Sequence, residues 1–242
     1  MQTELLQELF NQEKTHWWYI AKKNLLMRYI KVCNKDVLVL GAGGGLLCCQ
    51  MRDQGARVIA VDISPLACEH MHSKYGIQAV EHDLNNGLPD LGRCFDIIIA
   101  SDILEHLKFD TAVVDDLSRY LKPGGQFIVT VPAFENLWSY WDEKNWHYRR
   151  YTIKTMRGLL KRSPSLHIEK ISYFHCILYA AVWLRRKCFK PSQQLSDFKS
   201  SSGTVFNAAF ASYCAIECRM LKWLNLPFGV SIFVNAINKP IH

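Results

Sequence analysis

The chain predicts an α/β fold: a doubly wound, mostly parallel seven-stranded sheet, with helices ahead of it and a helical insertion before its last strand. Three observations carry that prediction. Val37–Leu40, Val58–Val61 and Phe95–Ala100 are almost unbroken apolar runs of strand length, the pattern of strands covered on both faces. Stretches with helical spacing separate them. The glycine turn Gly41-Ala-Gly-Gly-Gly45 joins the first run to the first of those helices.

Along the chain, residues 3–33 read as helical, with Leu5, Leu6, Leu9 and Phe10, then Leu25, Leu26, Tyr29 and Ile30, at apolar positions. Thr15-His-Trp-Trp-Tyr19 interrupts them as an aromatic knot. Strand one is Val37–Leu40, followed by a crossover helix over Leu46–Gln54 that Gly55 stops, and strand two is Val58–Val61. Ser64-Pro65 opens the next helix, because proline is tolerated in a first turn, and Gly76 ends it after Tyr75. Gln78–Glu81 is strand three and Phe95–Ala100 strand four. Thr111–Leu121 is a helix, Lys122-Pro-Gly-Gly125 a turn, and Gln126–Val131 strand five, closed by Pro132. Residues 133–151 read as one long aromatic loop, of the kind that often carries function beyond a strand end. Thr152 caps a helix to Lys161, and Leu166–Phe174 is strand six. Helices over His175–Phe189 and Thr204–Leu224 flank a polar linker, and Val230–Asn238 is the last strand. The implied organisation is a helical cap over 1–34, a core of 35–174 with 230–242, and a helical insertion over 175–229.

Hydrophobic residues at 49% support a sizeable core, and charged residues at 21% argue against a disordered chain. The formal charge of +7 gathers in two runs. One comprises Lys144, Arg149, Arg150, Lys154, Arg157, Lys161 and Arg162, the other Arg185, Arg186, Lys187 and Lys190. Each is either a solvated helix face or a surface for anions. No aromatic–basic motif for single strands accompanies them, which makes a nucleic-acid-binding protein the weaker alternative. Nine cysteines form no C-x-x-C pair and no Cys/His cluster of zinc spacing, so no metal centre is expected. They read as small hydrophobes in a reducing cytosol. The apolar run Ile171–Leu184 is shorter than the roughly 20 residues of a membrane span. The expected location is cytoplasmic. Residues 173–190, apolar and then basic at Arg185-Arg-Lys187, are either an ordinary core helix or a peripheral contact at the inner face of a membrane.

A parallel sheet with a glycine turn after its first strand places an adenosine-type ligand at the strand ends. Glycine lets backbone approach the ligand, and an acid at the tip of strand two, here Asp62, accepts from ribose hydroxyls. A ligand carboxylate suits the exposed amides that open the first helix. Leu46, standing where the dinucleotide fingerprint expects Gly or Ala, counts against a nicotinamide-dependent oxidoreductase.

The order Gly41–Gly45, Asp62, Asp83, Phe95-Asp-Ile-Ile, Leu121-Lys-Pro-Gly-Gly125 resembles the class I S-adenosylmethionine-dependent methyltransferases over roughly residues 35–135. The resemblance implies S-adenosylmethionine as cofactor, with Gly41, Gly43 and Gly45 along its methionine portion and Asp62 on its ribose. It places Ile63, Asp83 and Leu84 around the adenine, and Ser101 near the methionine; Asp102, Glu105 and His106 belong to the same segment. His16-Trp-Trp-Tyr19, Val131-Pro-Ala-Phe134, His147-Tyr-Arg-Arg-Tyr-Thr152, Leu226-Pro-Phe-Gly-Val-Ser231 and Asn238-Lys-Pro240 are similar to a bacterial subgroup linked to cell-envelope polysaccharide and glycosyl-transfer pathways. Trp141, where that subgroup often has His, and Lys22 or Lys23, where an Arg commonly follows the aromatic pair, depart from it. The ubiquinone-biosynthesis O-methyltransferases share a comparable segment from the His into the helix.

Methyl transfer is an in-line displacement at an activated sulfonium, so holding donor and acceptor about 3–3.5 Å apart supplies much of the rate. Trp18 and Tyr19 either face the sulfonium or pack the N-terminal helix. An oxygen acceptor gains from a general base, for which His147, near Asp142, is the first choice and His106 the second; each has a structural alternative. Arg149 and Arg150 are expected to hold an anionic group of the acceptor, with one of them in a structural ion pair instead, and Trp138 and Tyr151 to line the same site. The expected acceptor is a small molecule, a glycan or a lipid-linked species, methylated at oxygen.

Overall fold

The computed structural model describes Phe10, residues 13–188 and residues 204–239, with side chains outside 181 and 185–211. The helix expected over residues 3–9 and the linker expected over 190–203 lie outside the described residues.

Strands β1 (Asp36–Leu40), β2 (Arg57–Asp62), β3 (Gln78–Glu81), β4 (Phe95–Ser101), β5 (Leu121–Pro132), β6 (Leu166–Phe174) and β7 (Ser231–Asn238) form one sheet in the order β3-β2-β1-β4-β5-β7-β6. All pair in parallel except β7, which runs against both β5 and β6. The described helices are α1 (Trp17–Tyr29), α2 (Leu46–Asp53), α3 (Pro65–Tyr75), α4 (Asp110–Tyr120), α5 (Tyr140–Lys144), α6 (Ile153–Leu160), α7 (Cys176–Cys188) and α8 (Thr204–Met220).

Side chains alternate across a strand, and here both faces are covered. Leu38, Leu40, Ile98, Ala100, Phe127 and Val129 meet α4 and α6 through Val113, Leu117, Met156 and Leu160. Val37, Val39, Ile97, Ile99 and Phe233 meet α1, α2 and α3 through Leu25, Leu26, Met51 and Met71. That double burial is why the strands read as unbroken apolar runs. A third cluster joins Trp17 and Ala21 of α1 to Leu178 and Val182 of α7, Cys214 of α8 and Leu137. Among the described residues no helix is long and apolar enough to cross a membrane.

Two sequence boundaries shift for local reasons. Leu121 already pairs with Phe95, and Lys122–Gly125 bulge out before Gln126 pairs with Ile97, so β5 begins ahead of the expected turn. The expected single loop 133–151 contains a 3-10 turn at Glu135–Leu137 and the short helix α5. Ser139 and Asp142 start α5 by a reciprocal capping box. Thr152 caps α6 as expected, its hydroxyl accepting from the Thr155 amide.

The fold positions a site by topology. β1 lies between β2 and β4, and the helices that follow β1 and β4 cover opposite faces. The connections therefore part above the carboxyl ends of these strands, the place where open α/β sheets take their ligands.

Candidate active site

The turn after β1 needs glycine, most plainly at its two ends. Gly41 has φ +63°, and a Cβ there would lie 2.5 Å from Ile103 Cδ1. Gly45 has φ +78° where it opens α2, and a Cβ there would run into Met71. Gly43 N donates to Asp62 Oδ2 at 2.9 Å, and Ser64 N donates to Asp62 Oδ1 at 2.9 Å. Burial pushes the Asp62 carboxyl up, against these amide bonds that favour its charge. Each oxygen keeps a second lone-pair direction, enough for a ribose hydroxyl. Ile63 follows at 62% exposure, a bare apolar face beside that carboxylate and a suitable shelf for a base.

Other expected cofactor residues are placed differently. Asp83 Oδ1 accepts from Asn85 N and Asn85 Nδ2 at 2.9 Å each, so the acid caps the turn Leu84–Asn86. The Leu84 side chain is buried in the core. Ser101 Oγ shares a hydrogen bond with Thr130 Oγ1 at 2.9 Å, and Thr130 Oγ1 donates to Asp102 Oδ1 at 3.0 Å. The faces of Trp18 and Tyr19 meet a lysine: Lys22 Nζ lies 5.2 Å and 5.4 Å from the two ring centroids. Lys22 is buried and forms an ion pair with Asp102, which has φ +51° at the end of β4. Burial pulls the Lys22 ammonium below its ordinary range, while Glu105 and Glu13 resist that shift. Burial also pushes the Tyr19 hydroxyl up to about 12.

His147 and His106 do come together. Their rings meet edge to face with centroids 4.6 Å apart, and Tyr148 N donates to Glu105 O at 2.7 Å, which ties the loop to the end of β4. His147 Nδ1 lies 2.9 Å from Asp142 Oδ1, so Nδ1 carries a proton toward the carboxylate. Asp142 has no exposure. Burial alone would raise its pKa, but hydrogen bonds from His147 and Arg150 and the Arg150 charge hold it well below the ordinary carboxylate range. Burial lowers His106 to about 4, helped by His147, so His106 is neutral near pH 7.

Three residues expected at the acceptor site make internal contacts, and both arginines, where one was expected, enter ion pairs. Arg150 grips Asp142 through Nε at 2.8 Å and Nη2 at 3.0 Å, and donates through Nη1 to Ala133 O at 3.1 Å. Arg149 pairs with Asp110 at 2.7 Å and donates to Lys108 O at 2.8 Å. Tyr151 is 3% exposed, donates its hydroxyl to Asp110 Oδ2 at 2.8 Å and bridges Ala133. A buried tyrosine hydroxyl needs such an acceptor. Trp138 is half-buried after the turn Glu135–Leu137.

Sequence reasoning assigned no contact to several groups. Glu105 is 1% exposed, its pKa is raised by burial, and its Oε2 has no hydrogen-bond partner among the described residues. No metal centre is expected from the sequence, yet Glu105, His106 and His147 offer ligand atoms within 4.8 Å of one another, a spacing that would suit a divalent cation. His175 is buried with φ +60°, tilted on Trp18 at 4.7 Å, and burial lowers it to about 3. Glu13 bonds the glycine turn itself, through the amides of Gly44 and Leu46. Only the departure at Lys22 gave a sequence signal for any of these contacts. A cavity of about 270 Å³ between α1 and α8, lined by Ile20, Asn24, Met27 and Cys218 among others, includes none of these groups.

The β1/β4 switch, the glycine turn after β1 and the acid ending β2 stand in the order that the class I S-adenosylmethionine-dependent methyltransferase resemblance implies, with the His147–Asp142 pair in the segment after β5. The chain belongs to the family described as methyltransferase domain, whose model matches residues 19–163. A ubiquinone biosynthesis O-methyltransferase from Xylella fastidiosa is 32% identical over 128 residues, covering 49% of this chain and 50% of its own length. The chain thus spans about half the length of such curated relatives. An S-adenosylmethionine-dependent methyltransferase from Mesorhizobium loti superimposes with a TM-score of 0.59 at 17% identity, covering 93% of this chain and 99% of that one. The N-methyltransferase NodS from Bradyrhizobium japonicum, solved with S-adenosylhomocysteine, gives a TM-score of 0.59 at 12% identity, covering 98% of each chain. At those identities the likeness is one of fold.

Proposed function

We propose that this chain moves a methyl group from S-adenosylmethionine to a hydroxyl of a small-molecule, glycan or lipid-linked acceptor. The observation that carries the reading is the His147–Asp142 pair beside His106 at the end of β4. A sulfonium donor needs no activation by the protein, whereas a hydroxyl gains from losing its proton as the new bond forms. The Gly41–Gly45 turn, Asp62 and Ile63 would hold the donor, which supplies the methyl group when bound. His147 Nε2 accepts the hydroxyl proton. Asp142 orients the ring and stabilises the imidazolium, and Arg150 keeps Asp142 ionised so that it takes no proton itself. His106 is neutral, so it adds no charge against that imidazolium. Oxygen as the accepting atom is supported by the relatives named O-methyltransferases. The glycan and lipid-linked options rest on the flanking motifs His16–Tyr19 and Leu226–Ser231.

A second reading has one observation behind it: a divalent cation on Glu105, His106 and His147 would lower the acceptor hydroxyl pKa in place of a base. The test of the main reading is a labelled-methyl assay against fractionated cell extract, with Asp62→Ala and His147→Ala as variants. Wild type should label an acceptor, Asp62→Ala should not, and His147→Ala should be slowed about 10²–10⁴-fold at saturating donor. Full rate in His147→Ala would remove it as the base.

A further inference from the structure

The amides that open α2 already hold a carboxylate, and it is the protein's own. Gly44 N donates to Glu13 Oε1 at 2.8 Å, and Leu46 N donates to Glu13 Oε2 at 3.4 Å. Such amides are free of intrahelical acceptors and attract anions. Glu13–Thr15 are helical ahead of α1, and Phe10 stacks on His70 of α3 with ring centroids 4.1 Å apart. The two side chains press on the turn: a Cβ at Gly44 would lie 2.6 Å from Phe10 Cδ1 and 2.7 Å from Glu13 Oε2. One residue away, Gly43 N holds Asp62. The Glu13 carboxylate therefore stands on the turn next to the acid that would take the ribose, where the donor's amino-acid arm would lie.

One N–H has one proton to give. A donor carboxylate and Glu13 cannot both take it, and two like charges at such spacing repel. We propose that Glu13 is a built-in competitor for the donor's carboxylate subsite, so that the donor binds only when Phe10 and Glu13–Thr15 leave the turn. The proposal rests on the turn being the donor's methionine subsite. Apparent affinity is then the intrinsic affinity reduced by the fraction of molecules whose turn is free. The opposite reading, Glu13 as a ligand for the donor's ammonium group, predicts the opposite sign.

Calorimetric titration of the full chain with S-adenosylhomocysteine decides between them. Glu13→Ala should bind about tenfold more tightly than wild type, and Glu13→Gln by a smaller factor, since a neutral amide oxygen still accepts from one N–H. A melting curve for each variant controls for folding, with Glu13→Gln as the conservative case. In wild type, S-adenosylhomocysteine should speed hydrogen exchange over Glu13–Thr15. Unchanged or weaker binding in folded variants, or slowed exchange in that stretch, overturns the proposal. If wild type and both Glu13 variants all fail to bind S-adenosylhomocysteine, the donor reading itself falls and the competitor with it.

Discussion

Asp142→Asn loads the most heavily connected carboxylate of the site. Asp142 accepts from Arg150 Nε and Nη2, His147 Nδ1, Ser139 N and Ser139 Oγ, and has no exposure. Asparagine keeps the shape, but half of its head becomes an N–H donor facing the donors of Arg150. The guanidinium, 10% exposed, is left without its counter-charge. Removing one member of a buried pair costs about 3–5 kcal/mol, chiefly from the stranded charge. For a chain of this size each kcal/mol moves the melting temperature by about 2–4 °C, so the midpoint should fall by roughly 6–20 °C. Urea and thermal melts of Asp142→Asn, Arg150→Met and the double variant measure this. In the double variant neither charge is stranded, and it should be more stable than the sum of the single losses implies. A loss below about 1 kcal/mol in Asp142→Asn, or strict additivity in the cycle, refutes the argument.

His175→Asn should flatten the pH dependence of stability. Burial holds His175 at about 3, near 6.5 is its unfolded value, and between the two the unfolded chain binds a proton that the folded chain excludes. Wild-type stability from this group is therefore intact above pH 6.5 and lost as pH falls, by about 2 kcal/mol at pH 5. Asparagine tolerates the φ of +60° and carries no such proton, so the change in stability between pH 7 and 5 should shrink by that amount in denaturant melts. Incubation with EDTA should leave the methylation rate unchanged where His147 is a free base; a loss restored by added divalent cation would favour the Glu105–His106–His147 cation instead. Ile177, Trp183 and Leu184 are exposed on α7 just ahead of Arg185-Arg-Lys187 in sequence, so the chain should float with vesicles rich in anionic lipid and not with neutral ones. Equal flotation with both would show that charge plays no part.

The sheet was legible because burial on two faces leaves a signature in single residues. Val37–Leu40 and Ile97–Ala100 must be apolar throughout, and no distant partner is needed to see it. Asp62 was legible for a related reason: turn and acid are set by local geometry within one strand–helix–strand unit. What stayed hidden was pairing. A sequence shows that Arg149, Arg150 and Tyr151 are polar and close to a histidine, and not which carboxylate each will meet. Asp110, 41 positions from Tyr151, and Asp142 are brought to them only by the fold.

That pairing changes what the segment 133–151 does. A stretch so long with little regular structure loses much conformational entropy when ordered, about 1–2 kcal/mol per residue for the backbone alone. It stays in place here because Tyr151 joins Ala133 as a bridge, Arg150 closes on the Ala133 carbonyl and Asp142, and Arg149 and Tyr151 share Asp110. Between those anchors sits His147, whose ring is aimed by the same Asp142 that Arg150 holds. The residues expected to hold the acceptor thus hold the segment that carries His147.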